Sequence, residues 1–218
     1  MRFVAINLSD NIQASKRGCY NAARAAALSG VPQRTLYNWA RAGVVVPSVS
    51  PIRERLWSYQ DLLTLRAIHW LRRRKGIQPA SPMSQVRAAL EQTVQQGLDL
   101  WNDNTIRLRV DLAGRIFIDQ ADGSHTDLDG QAAWDMGDSV NILDAIGSSP
   151  GLVRPTPHVR IAPARLAGEP FLLNSRVGTQ VLHSLASDGY DTEAISRLYG
   201  IETSHVQEAL DYEFALAA

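Results

Sequence analysis

Apolar positions recur at helical spacing in the N-terminal third of the chain, broken at short intervals by Gly and Pro. Asn21 to Leu28 reads as a short alanine-rich helix closed by Ser29-Gly30. Pro32 to Ala42 reads as a second helix, with Pro32 suited to its first turn and Gly43 to its end. On that helix Leu36, Trp39 and Ala40 turn to one side. Arg34, Tyr37, Asn38 and Arg41 recur at three- and four-residue steps on the other. Two short helices joined by a tight Gly-containing turn form the helix-turn-helix pattern. Beyond a polar loop carrying Pro51, Arg53 and Arg55, the stretch WSYQDLLTLRAIHWLRRRKGI predicts a long helix. Ser58 is its N-cap and Asp61 its third position. Leu62, Leu65, Ile68, His69 and Leu71 form its buried stripe, and Arg72 to Lys75 its last turn. That basic run suits a helix C-terminus as well as it suits phosphate contact.

The pattern changes further along. Ser84 to Leu100 is an amphipathic, Gln-rich helix, and TIRLRVDLAGRIFID alternates on both sides of an Asp-Leu-Ala-Gly turn, a hairpin signal. A short helix is expected near Val140 to Ile146. Pro150-Gly151, Pro155 and Pro157 mark a boundary. After it, Val159 to Ile161 and Pro170 to Leu173 are short strands around a Gly168 turn. Three helices follow, opening at Thr179, at Asp191 or Thr192, and at Thr203. Leu182, Leu185, Ile195, Leu198, Ile201, Val206, Leu210 and Phe214 are their expected core. The division is thus 1–79, 80–154 and 155–218.

Charge sharpens this picture. The net charge is zero overall. Yet Lys16 to Lys75 holds twelve Lys and Arg against Glu54 and Asp61, a net of +10, and Gly76 to Ala218 holds nine Arg against nineteen acids, a net of −10. A basic front and an acidic body imply a nucleic-acid-binding head. The acid-free face of the second helix carries two guanidinium groups, a phenol and an amide, the groups that bond phosphates and base edges.

Residues 20 to 77 resemble the DNA-binding head of the MerR family, a winged helix-turn-helix. The likeness lies in Ala22-Ala23, Gly30-Val31, RTLYNWARAGVV and RERLWSYQDLLTLRAI. It implies that Arg34, Thr35, Tyr37, Asn38 and Arg41 face DNA and that Arg53 and Arg55 lie on the wing. Tyr37 stands where that family usually has arginine, and the long dimerising helix and effector-binding cysteines of its metal sensors are missing. The last sixty or so residues resemble the family catalogued as domain of unknown function 433, through GYDTEAISRLYGI and VQEALDYE. Arg176 is kept there, with Asn174-Ser175 in place of Gly-Thr. The fold class is therefore mainly α with small β elements: a MerR-like head, a central helix plus β-hairpin, and a C-terminal three-helix domain.

Both resemblances on one chain are similar to the antitoxin of a VapBC-type pair. This implies operator DNA and a PIN-domain ribonuclease as partners, with autorepression, and the acidic body suits a toxin whose RNA-binding face is basic. Such a nuclease works through carboxylates holding Mg²⁺. Arg160, Arg165, Arg176 or Arg197 would supply a competing cation, with Arg176 favoured. A helix-turn-helix that reads one half-site also implies a homodimer, with the Ser84–Leu100 and Thr203–Ala218 helices as its surfaces. The alternative is a stand-alone MerR-like regulator whose C-terminal domain binds a ligand or dimerises.

No enzyme, metal site or cofactor is expected. There is no phosphate loop, dinucleotide fingerprint or serine elbow. The histidines His69, His125, His158, His183 and His205 are scattered. Asp119, Asp122, Asp127 and Asp129 read as an acidic loop without a strand framework. Cys19 reads as a small buried filler. No apolar run is long enough for a membrane span and the start lacks a secretion signal, so a cytoplasmic address is expected.

Overall fold

The computed structural model describes residues 18–95, 108–119, 124–128, 131–133, 139–141 and 154–217. Its mainly α architecture with small antiparallel sheets is the one expected. In the head, α1 (Ala22–Ser29) is capped by the Asn21 side chain, which accepts from the Arg24 amide. It closes at Gly30, which adopts φ +72° and donates to Ala26. After Pro32 comes α2 (Gln33–Arg41). A wing then folds back: Ser50 and Leu56 pair, and Trp57 exchanges two 2.9 Å backbone bonds with Tyr20. Next is α3 (Tyr59–Leu71), opened by a reciprocal box in which Asp61 accepts from the Ser58 amide at 2.8 Å and Ser58 Oγ accepts from the Asp61 amide at 3.2 Å.

The long helix stops at Leu71, four residues short of the expected Lys75. Lys75 and Gln78 pair across a tight turn with Gly76 at φ +57°, which breaks the helical ladder. The basic run is therefore a cap and turn. Lys75 Nζ donates to the carbonyls of Trp70 (2.8 Å) and Arg73 (2.9 Å), Arg72 to Ser81 (2.9 Å), and Arg74 to Gly76 (3.2 Å).

The chain divides into two compact units. One combines residues up to Leu62 with Pro150–Ala218, and the other is Leu63–Ser149, so α3 begins in the first and continues into the second. Within the first unit, head and C-terminal segment interlock. Arg24 on α1 is buried and holds Glu213 by two bonds of 2.7 and 2.8 Å, with Glu169 at 2.9 Å on its Nε. Thr179 Oγ1 donates to the same Glu213. Tyr20 Oη donates to Gly168 O at 2.8 Å and the Cys19 amide to Ala167 O at 2.7 Å. Gly168 has φ +86°, and a Cβ there would lie 2.1 Å from Tyr20 Oη, so only glycine fits.

The rest of this unit follows the sequence closely. Strands β6 (Val159–Arg160) and β7 (Phe171–Leu172) pair antiparallel, here named as the sixth and seventh in chain order. Helices α5 (Thr179–Ser187), α6 (Thr192–Tyr199, capped by Asp191) and α7 (Thr203–Ala217) enclose Leu182, Ile195, Val206, Ala209 and Leu210. Two expected core residues lie outside: Leu198 and Phe214 are each 61% exposed. On α7 the inward steps run Val206, Leu210, Glu213, because position 213 supplies the carboxylate for Arg24. Phe214, one residue on, turns out against the edge of His183.

In the second unit α4 (Met83–Gln95) precedes a five-stranded antiparallel sheet of β1 (Leu108–Val110), β2 (Ile116–Asp119), β3 (His125–Asp127), β4 (Ala132–Ala133) and β5 (Val140–Asn141), in the order β4-β3-β2-β1-β5. The hairpin turn is built as expected, with Asp111 Oδ1 accepting from the amides of Ala113 and Arg115 and Gly114 at φ +80°. The helix expected near Val140 is instead an edge strand at Val140–Asn141, held by Arg109 and Val110 of β1. Residues 142–146, like 96–100, lie outside the described residues.

Candidate nucleic-acid interface

The outer face of α2 is held open because its inner face is anchored: Leu36 is buried, as are Tyr20, Leu28, Val31 and Trp57 of the head. Arg34, Asn38 and Arg41 are exposed, while Thr35 is half-buried. Arg41 Nη2 donates to Asn38 Oδ1 at 2.7 Å, so one guanidinium edge and one amide N–H₂ are arrayed together. No acid lies on α2. Arg34, Arg41, Arg53 and Arg55 have no ion-pair partner among the described residues. Unneutralised guanidinium groups on a fixed helix face attract phosphate and can bond guanine edges bidentately.

Tyr37 departs from the simple picture of a face residue. It is half-buried, its ring set edge-on to the buried Trp57 at 6.3 Å and 69°. The guanidinium of Arg55 lies over the same ring, 5.4 Å from its centre. Arg53 is exposed at the wing tip next to Ile52, which is 79% exposed. Asn21, Gln33, Tyr37, Arg53, Glu54 and Arg55 together line a groove of about 410 Å³ between the first turns of both helices and the wing. Asn21 and Gln33 were not singled out in the sequence. The available signal was their place in the first turns, beside Pro32 and before Ala22.

Of the four C-terminal arginines, two are engaged internally. Arg160 Nη1 donates to the carbonyls of Thr156 (3.1 Å) and Val159 (2.8 Å). Arg165 donates to Ser175 O and lies 4.2 Å over the Phe171 ring. Arg176 and Arg197 are exposed and have no ion-pair partner among the described residues.

The other candidates fall into structural roles. Asp119 and Asp127 lie on strands, which corrects the loop expected there. Asp119 is held by Arg109 (3.1 Å) and His125 (2.7 Å), and Asp122 and Asp129 lie outside the described residues. His158 stacks on His205 at 3.8 Å and meets Glu208 at 2.7 Å. Burial pushes the Glu208 carboxyl up, but hydrogen bonds from Thr156 and His158 outweigh it and bring it down to about 2. Burial raises the Cys19 thiol, and the sulfur is half-buried. No cluster of three or more metal-ligating side chains occurs among the described residues. No helix among them is long and apolar enough to cross a membrane.

Residues 20–81 match the family model described as MerR HTH family regulatory protein. The head is a MerR-like helix-turn-helix. The match covers the head alone, and no curated protein matches the chain. Among solved structures, the crystal structure of Rv2018 from Mycobacterium tuberculosis is similar, with a TM-score of 0.50 and 16% identity over 88% of this chain and 96% of that one. At that identity the likeness speaks for the fold.

Proposed function

We propose that the chain is a DNA-binding transcription regulator that reads duplex DNA with α2 and the wing. The observation that carries this is the acid-free α2 face, where Arg34, Asn38 and Arg41 stand exposed beside the wing arginines Arg53 and Arg55. Each such contact is worth roughly 1–3 kcal/mol. Replacing both Arg34 and Arg41 by Glu is expected to weaken binding by several kcal/mol, about a thousandfold or more, and to flatten the salt dependence. Unchanged affinity in a gel-shift titration with sites selected from a random duplex pool would remove α2 from the interface. Two copies would read a two-fold site, with α4 and α7 as the joining surfaces. Sedimentation as a 24.0 kDa monomer would count against that pairing.

The finer reading is that this regulator is the antitoxin of a type II module, inhibiting a PIN-domain ribonuclease and repressing its own operon in the cytoplasm. Its support is the charge division between a basic head and an acidic body, the resemblance of the C-terminal segment, and two exposed, unpaired cations there. Arg176 and Arg197 replace the four-residue set as candidate plugs, since Arg160 and Arg165 already bond carbonyls. Co-expression with a PIN-domain gene from the same operon tests it. Full-length chain carrying Arg176→Glu and Arg197→Glu is expected to lose inhibition while still binding DNA. If wild-type chain neither binds nor inhibits that nuclease, the alternative of a stand-alone regulator with a ligand-binding or dimerising C-terminal domain takes its place.

A further inference from the structure

We infer that Tyr37 is a positioning residue for the wing: it holds Arg55 in place for a DNA phosphate. This rests on the DNA-binding reading above and adds a role for one residue that this reading treats as an ordinary contact.

Three observations converge. First, Tyr37 is immobilised from behind. Trp57, fully buried, forms a T-shaped pair with Tyr37 at 6.3 Å, and Trp57 is itself fixed to Tyr20 by a pair of 2.9 Å backbone bonds. Edge-to-face aromatic pairs resist rotation of either ring because the positive edge of one meets the negative face of the other. Second, the Arg55 guanidinium lies over the Tyr37 ring at 5.4 Å, within the range where a cation is attracted to a π face. Arg55 is half-buried, unlike Arg53 two residues away, which is exposed. Third, Tyr37 and Arg55 line one groove with Asn21, Gln33, Arg53 and Glu54, so the stacked guanidinium borders an open polar surface shared by α2 and the wing.

The consequence is physical. An arginine on a wing tip samples many rotamers, and fixing one costs side-chain entropy when a phosphate is bound. Stacking on Tyr37 fixes it beforehand. An arginine at position 37 would repel Arg55 and contact phosphate itself. With tyrosine there, the cation is supplied from the wing and steadied from the helix. The wing and α2 then act as one surface, and substitutions at 37 and 55 should be coupled.

A double-mutant cycle on the full chain tests this, using a short random-sequence duplex as the probe and reading affinity against salt. Arg55→Ala is expected to lower affinity and to reduce the log–log salt slope by about one phosphate contact. Tyr37→Ala keeps every charge. It is nevertheless expected to weaken binding about two- to fivefold, the usual worth of an exposed cation–π contact, and to move the slope toward that of Arg55→Ala. The double variant should be no weaker than Arg55→Ala alone, and Tyr37→Phe should match wild type. In the free protein, the Arg55 Nε–H resonance should carry a ring-current shift that survives in Tyr37→Phe and vanishes in Tyr37→Ala. Additive losses at 37 and 55 overturn the inference, as does a Tyr37→Phe loss equal to that of Tyr37→Ala, which would mean that the hydroxyl touches DNA directly. An Arg55 resonance indifferent to position 37 overturns it even where folding of the alanine variant is in doubt. If wild type binds no duplex at all, the DNA-binding reading falls first and this inference with it.

Discussion

The head has two flanks, and both carry arginine. On the α1 flank Arg24 is 9% exposed and gripped by two carboxylates. On the α2 flank Arg34, Arg41 and Arg53 are exposed with no carboxylate partner among the described residues. The contrast separates cations that hold the fold from cations available to a ligand. A count of basic residues treats them alike, so the +10 of the N-terminal third overstates the charge offered to DNA. Arg24 is neutralised inside the first unit, and Arg72 and Lys75 bond main-chain carbonyls around the end of α3. Exposed arginines remain on α2 and the wing, at Arg34, Arg41 and Arg53, and beyond the end of α3, at Arg72 to Arg74.

The comparison breaks most sharply at Arg24. Removing it leaves Glu213, and in part Glu169, buried without a counter-charge, a loss of about 3–5 kcal/mol. Arg24→Ala should therefore show a large fall in unfolding free energy in urea. The two carboxylates are not equivalent. Burial raises both, but at Glu213 the hydrogen bonds from Arg24 and Thr179 win and the carboxyl ends below its ordinary value. At Glu169 burial wins and the carboxyl stays raised. Glu213→Gln is accordingly expected to destabilise more than Glu169→Gln. Equal losses would mean that the two acids share the guanidinium evenly.

A smaller effect sharpens the same point within the C-terminal segment. Glu208, depressed to about 2 by Thr156 and His158, has a native value below its unfolded one. Its contribution is therefore present above the ordinary carboxylate range near 4.5 and is lost as pH falls toward 2. Wild type should lose stability through that window, and Glu208→Gln should flatten this part of the acid melt. An unchanged acid profile in the variant would place the carboxyl's stabilisation elsewhere.

Much of the fold was legible because its signals are local. Asn21, Ser58 with Asp61, and Asp191 cap helices within three residues of themselves, and the Asp111–Gly114 turn closes on its own side chain. The α2 face was legible for the same reason, since Leu36 inside and Arg34, Asn38 and Arg41 outside follow from helical spacing alone. The interlock was not. Arg24 sits in an alanine-rich helix and reads as a surface cation, while its partner Glu213 is 189 residues away. That distant demand also shifted the inward register of α7 by one, exposing Phe214, which spacing had assigned to the core. The ring contacts of Tyr37 were not legible either: Trp57 and Arg55 lie twenty and eighteen positions on, and helical periodicity carries no such information.

The smallest expected effect closes the comparison. If the α2 flank is free of structural duty, replacing Arg34 and Arg41 should leave unfolding free energy within about 0.5 kcal/mol of wild type, the usual range for surface positions without buried partners. The Arg41–Asn38 bond does not alter this, because it joins two exposed groups one helical turn apart, and such pairs contribute a few tenths of a kcal/mol. Chemical denaturation of the same Arg34→Glu, Arg41→Glu variant used for DNA binding provides the measurement. Relief of repulsion among the clustered cations could even raise stability slightly at low salt, and that gain should fade as salt screens it. A destabilisation comparable to that of Arg24→Ala would show that the α2 arginines also hold the head together, and the division between the flanks would not stand.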